Sequence, residues 1–179
     1  MAKLRSERYE YIKEAVVNTL VECDIKNVPI DPFEICRRRN YKLIKYTDKY
    51  DIDDLKKVVD VYPNGFKQYL NDEMIIEYND LMSEERIRTT IFHEIGHIEL
   101  RHVCECELSE TEAEWFGVYM IAPAPLVGLY KIEDYKDLSD VFYTSLECGK
   151  NSFQRYINWK EKPGFLKEYE ERLINQFTK

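Results

Sequence analysis

A chain of 179 residues with 44% hydrophobic and 34% charged residues can bury one proper core, and its balance is not that of a disordered segment. A formal net charge of −8 provides no general basic surface for phosphate backbones, which argues against broad nucleic-acid binding. No run approaches the roughly 20 apolar residues that a bilayer span requires, and the five cysteines (Cys23, Cys36, Cys104, Cys106, Cys148) have no framework spacing, so reduced thiols in a cytoplasmic protein are expected.

The opening stretch, MAKLRSERYEYIKEAVVNTLVECDIK, lacks an uninterrupted apolar run and a small-residue cleavage site. It reads as an amphipathic helix over residues 6–22, with Tyr9, Ile12, Val16 and Leu20 at helical spacing, rather than as a signal peptide. In PIDPFEICRRRN, Asp31 supplies a capping carboxylate and Pro32 a preset helical φ, so a second helix starts there. YKLIKY alternates apolar and basic residues as a strand does, and DIDDLKKVVDVYPNG is a short helix ended by Pro63 and Gly65. GFKQYLNDEMIIEYND reads as two strands joined by the turn-forming pair Asn71-Asp72.

The strongest helix is SEERIRTTIFHEIGHIELRH, where Ser83 can cap and Glu84 and Glu85 suit the positive end of the helix dipole. A second helix over SETEAEWFGVYMIA stops before Pro123 and Pro125. The remainder, including LSDVFYTSLECGKNSFQRYINWKEK, reads as helical. The APAP stretch at 122–125 is the one boundary, separating residues 1–125 from a C-terminal helical segment, 126–179. The expected fold class is α+β with a small antiparallel sheet.

All three histidines lie within residues 93–102, and His93-Glu94-Ile95-Gly96-His97 is the H-E-x-x-H pattern. Residues four apart on a helix stack one turn above another, roughly 5–6 Å between Cβ atoms. Two imidazoles so placed can converge on one zinc ion at about 2.0–2.1 Å each. Glu94, about 100° round the helix from His93, stands beside that ion and can take a proton from its bound water. Ile87, Ile91, Ile95 and Ile98 form a separate stripe for a core, and Gly96 removes bulk between the two ligands at a cost of about 1 kcal/mol in helix propensity. His102 falls about 160° from the histidine face if the helix continues, so it is read as structural.

A catalytic zinc takes a third protein ligand and keeps one position open. Cys104, Cys106, Glu110, Glu112 and Glu114 are near enough downstream. Cysteine ligation would demand a tight, poorly spaced loop. Glu110 and Glu112 flank the apolar stripe Ala113, Phe116, Gly117 and Met120, but Ser109-x-x-Glu112 also matches a capping box, and geometry alone leaves the two glutamates open.

ERIRTTIFHEIGHIELRH followed by ETEAEWFGVYMIAP resembles the ImmA/IrrE family of zinc metallopeptidases, whose pattern is an H-E-x-G-H helix, then E-x-E-A-(Asn or Asp)-x-F-A, then Leu-Met-Pro. Glu110, Glu112, Ala113, Phe116 and Pro123 stand at the matching positions, whereas Glu114, Gly117 and Ala122 depart from it. The resemblance implies a zincin-like domain with one zinc held by His93, His97 and Glu112, and Glu94 as general base. It further implies a protein substrate, a helix-turn-helix repressor of a mobile element or stress operon, with EMIIEYN as an edge strand able to pair with it. Tyr119, two turns beyond Glu112 on the same face, is a candidate oxyanion stabiliser set against core packing. LSDVFYTSLECGKNSFQRYINW resembles a helix-turn-helix, but a role as a helical appendage is favoured over DNA binding. The rival to a peptidase is a non-proteolytic zinc-binding regulator or interaction module using the same fold.

Overall fold

A computed structural model of the chain describes residues 4–104, 106–162 and 164–178. Its first helix, α1 (Ser6–Glu22), buries Ile12, Val16, Val17 and Leu20 on one face, as their spacing requires. In α2 (Pro32–Arg39) the Asp31 carboxylate accepts from the Phe33 N–H at 2.9 Å, giving one otherwise unpaired N-terminal donor a partner. Strand β1 (Lys42–Lys45) ends one residue earlier than its alternation suggests. The fully buried Tyr46 instead opens a one-turn helix, α3 (Tyr46–Lys49), and donates its hydroxyl to the Tyr62 carbonyl at 3.0 Å. Helix α4 (Ile52–Val61), capped by Asp51, follows.

Strands β2 (Gly65–Leu70) and β3 (Glu73–Tyr78) form the expected hairpin, turned by Asn71 and Asp72 with φ of 52° and 63°. The sheet is nevertheless mixed, in the order β1-β3-β2, because β1 lies parallel to β3 with Lys42 opposite Ile75. The crossover through α3 and α4 permits that parallel pairing, which a tight hairpin cannot make. It also corrects the expected role of EMIIEYN: β3 is the central strand, paired on both sides, and β2 is an edge.

Helix α5 (Glu84–Glu99) packs against β2, β3 and α6 (Glu107–Ile121). Ile91 and Ile95 are fully buried, with Ile87 and Ile98 packed partly against the same core. Gly96 is required by the neighbouring helix rather than by the space between the two histidines. A Cβ there would stand 3.0 Å from Phe116 Cβ and 3.1 Å from the Ala113 carbonyl oxygen on α6. Gly96→Ala is therefore expected to destabilise the protein by about 1–2 kcal/mol despite its better helix propensity, read as a lower urea midpoint.

Helix α6 begins two residues before the sequence suggests. Its N-cap is Cys106, whose N–H donates to Ser109 Oγ at 2.9 Å, so Ser109 serves at N3 rather than as the cap and Glu112 is released from the capping box. The chain continues through α7 (Ala124–Leu129), α8 (Tyr135–Phe142), α9 (Leu146–Lys160) and α10 (Glu168–Phe177). Both α6 and α10 pack on α1, so Ile12, Phe116, Phe142 and Leu173, from either side of residue 125, share one apolar cluster. The turn between α8 and α9 is tied to the start of α5: the Tyr143 hydroxyl donates to Glu84 at 3.0 Å and the Ser145 N–H to Glu85 at 3.0 Å. Arg88 also donates to the Tyr143 carbonyl and, at 2.9 Å, to that of Ile30. No helix among the described residues is long and apolar enough to cross a membrane.

Candidate active site and metal centre

A cleft of about 550 Å³ runs between α5 and β2. Gly65 and Phe66 of β2 form one wall, His93, Glu94 and His97 the floor, and Glu110 the far side. The strand comes this close because position 65 has no side chain: a Cβ on Gly65 would meet the Glu77 carbonyl oxygen at 2.7 Å and Thr90 Cγ2 at 2.8 Å.

The helical spacing of His93 and His97 does what the sequence suggests, bringing their Nε2 atoms to 3.0 Å from one another. The carboxylate beside them is that of Glu110, not Glu112: its oxygens lie 3.3 Å from His93 Nε2 and 3.2 Å from His97 Nε2. Donors each about 2.0–2.1 Å from a tetrahedral zinc stand roughly 3.3 Å apart along the edges of the tetrahedron, so these separations fit one small cation. His93, His97 and Glu110 are the residues that could hold a metal ion here. Burial lowers the pKa of both rings, that of His97 to about 3, against the opposing pull of Glu110 on His93. Both imidazoles are thus neutral at physiological pH, the form a metal takes.

Glu94 is buried and opens on the same cleft. Cys104 and Cys106 are exposed thiols that do not join the group, and Glu114 lines the cleft further out.

Glu112 lies behind the histidines. Its buried carboxylate accepts from Arg8 Nε at 2.5 Å and Nη2 at 2.6 Å, a two-pronged contact from α1, and faces His102 Nε2 at 3.0 Å. Burial acts to raise the Glu112 pKa, but the Arg8 and His102 hydrogen bonds outweigh it and hold the group ionised. His102 completes the connection, its Nδ1 lying 3.0 Å from His97 Nδ1. A carboxylate demands a proton on His102 Nε2, and a neutral His102 ring then offers Nδ1 as an acceptor. With that tautomer of His102, a His97 proton on Nδ1 completes the pair and leaves the His97 Nε2 lone pair facing the cleft.

His102 reaches this position because the helix does not continue. It ends at Glu99, and Arg101 adopts φ of 57°, turning the chain back over His97. The helical projection that placed His102 on the opposite face therefore does not apply. No local signal in the sequence marks Arg8, which meets Glu112 across 104 positions of chain. Tyr119 is not in the cleft; it is buried between α6 and α1, away from the histidines.

A family model described as the IrrE N-terminal-like domain, a peptidase family, matches residues 47–147, more than half of the chain. No curated protein and no solved structure matches it. The match includes the two helices that carry His93, His97 and Glu110 and the hairpin whose edge borders the cleft. The chain belongs to the ImmA/IrrE family of peptidases.

Proposed function

We propose that this protein is a zinc-dependent endopeptidase that cleaves an extended segment of a regulatory protein, a helix-turn-helix repressor being the substrate to test first. The observation that carries this reading is the grouping of two neutral imidazoles and one carboxylate at the edge lengths of a zinc tetrahedron, with Glu94 buried in the same cleft. His93, His97 and Glu110 would hold the ion, in place of the set containing Glu112. Two imidazoles and a carboxylate suit zinc among the available divalent cations. When bound, zinc would supply a water of pKa roughly 7 and polarise the scissile carbonyl.

The protein's own groups do the rest. Glu94 would accept a proton from the attacking water on its carboxylate and return it to the departing amine. The edge of β2 offers backbone N–H and C=O groups along the cleft, so an extended peptide would pair there rather than on β3. Lys67 on that strand is tethered to the His102 carbonyl at 3.4 Å, which ties the substrate wall to the loop behind His97. His102, Glu112 and Arg8 fix the His97 tautomer and ring plane.

The direct experiment loads the purified full chain with zinc, incubates it with candidate repressors and a peptide mixture, and identifies cleaved bonds by mass spectrometry. Cleavage that chelation abolishes and zinc restores is expected; no cleaved bond above that of a Glu94→Gln control overturns the reading. His102→Phe, which keeps a flat ring but loses both nitrogens, is expected to weaken zinc binding by about 10–100-fold in competition with a chelator.

A further inference from the structure

A second cavity, of about 200 Å³, lies where α1, α6 and α9 meet, away from the peptidase cleft. Aromatic rings form part of its walls: Tyr9 and Trp115 meet edge to face at 4.9 Å between ring centroids, and Trp159 closes the side formed by α9. Two residues in these walls each carry a hydrogen-bonding atom without a partner among the described residues. The Tyr119 hydroxyl, on a residue only 5% exposed, has no hydrogen-bond partner among the described residues, and neither has Arg155 Nε.

The Arg155 guanidinium is also without a carboxylate among the described residues. Its contacts are a 2.6 Å hydrogen bond from Nη2 to Ser152 Oγ and the face of Trp115 at 5.9 Å. The Arg155 side chain as a whole is half-buried, but its Nε is shut off from water, and a donor left unmade in a dry site carries a cost. The acid on the cavity wall, Glu10, is already committed: it accepts from Tyr169 at 2.5 Å and Lys167 at 2.5 Å, with Lys13 at 3.2 Å. Lys13 and Lys162 stand on the wall as further positive charge.

We infer that this cavity is a binding site for a small aromatic carboxylate, with the carboxylate between Arg155 and the Tyr119 hydroxyl and the ring among Tyr9, Trp115 and Trp159. Two donors with no acceptor call for an anionic acceptor, and a guanidinium favours a carboxylate. The size agrees: an apolar cavity of roughly 150 Å³ accepts one benzene ring, so 200 Å³ takes a ring with one short acidic substituent. Such a ligand would link α9 to α6, the helix that carries Glu110. The site goes beyond the peptidase reading and does not depend on it.

Both tryptophans of the chain line this cavity, so intrinsic fluorescence reports on it directly. The full-length, zinc-loaded protein is titrated with benzoate and phenylacetate, with benzamide as the uncharged counterpart. A saturable fluorescence change with Kd on the order of 0.1–1 mM is expected for the acids, as suits about ten non-hydrogen atoms. Benzamide should bind at least about tenfold more weakly. Arg155→Met should abolish the response and Tyr119→Phe should weaken it several-fold. Because Tyr119→Phe removes only an unpartnered hydroxyl, that variant should fold at least as stably as the parent, which keeps the test valid if Arg155→Met does not fold. No saturable response to either acid, equal binding of benzamide, or undiminished binding by Tyr119→Phe overturns the proposal. Zinc content and peptide cleavage, measured on the same samples, report separately on the cleft.

Discussion

Glu94→Gln is expected to leave zinc bound and to lower the rate of peptide hydrolysis by roughly 10²–10⁴-fold, the usual contribution of a positioned acid–base group. Glutamine has the same shape as Glu94 and can remain in its buried position, but it cannot accept a proton from water or hold one for the leaving amine. The three groups that face the metal site, His93, His97 and Glu110, are untouched. Stoichiometric zinc in both proteins, with cleavage lost only in the variant, is the expected pair of results. A non-proteolytic zinc-binding regulator predicts instead that the substitution changes nothing. Cleavage by Glu94→Gln at a rate within a few-fold of the parent would remove Glu94 from the mechanism.

The second large effect separates the two glutamates of α6. Glu110→Ala removes a group that lies within 3.3 Å of both imidazoles, and should strip the zinc at chelator concentrations that leave the parent loaded. Glu112→Gln acts one step further out. It keeps the shape but weakens the acceptor that holds His102 and Arg8, so zinc affinity should fall by about 10–100-fold while binding survives. Arg8→Met should fall in the same direction as Glu112→Gln, and less steeply, because Arg8 is 39% exposed and water can replace part of its role. If Glu112→Gln loses zinc outright while Glu110→Ala retains it, the ligand assignment made from the geometry is wrong.

The split between these two residues shows how far local reasoning reaches. Glu110 and Glu112 are two positions apart, which on a helix is about 200° of rotation, so they cannot serve the same face. Which of them meets the histidines depends on how α6 is turned against α5. That rotation is set by the close approach of Gly96 to Phe116 and Ala113. The same rotation explains Tyr119: seven residues beyond Glu112, it shares that residue's face and turns with it toward α1, where Arg8 and the second cavity lie.

What the amino-acid order settles by itself is whatever one helix turn or one tight turn encloses. The pairing of His93 with His97, the caps at Asp31 and Ser83, the Asn71-Asp72 hairpin and the adjacency of Glu94 all follow from contacts within a few residues. The identity of the carboxylate that joins the two histidines, the Arg8–Glu112–His102 support, and the choice of β2 rather than β3 as the free edge come only from the folded chain. Each of these depends on the packing of one element against another distant in sequence, and the spacing of residues along the chain carries no record of that angle.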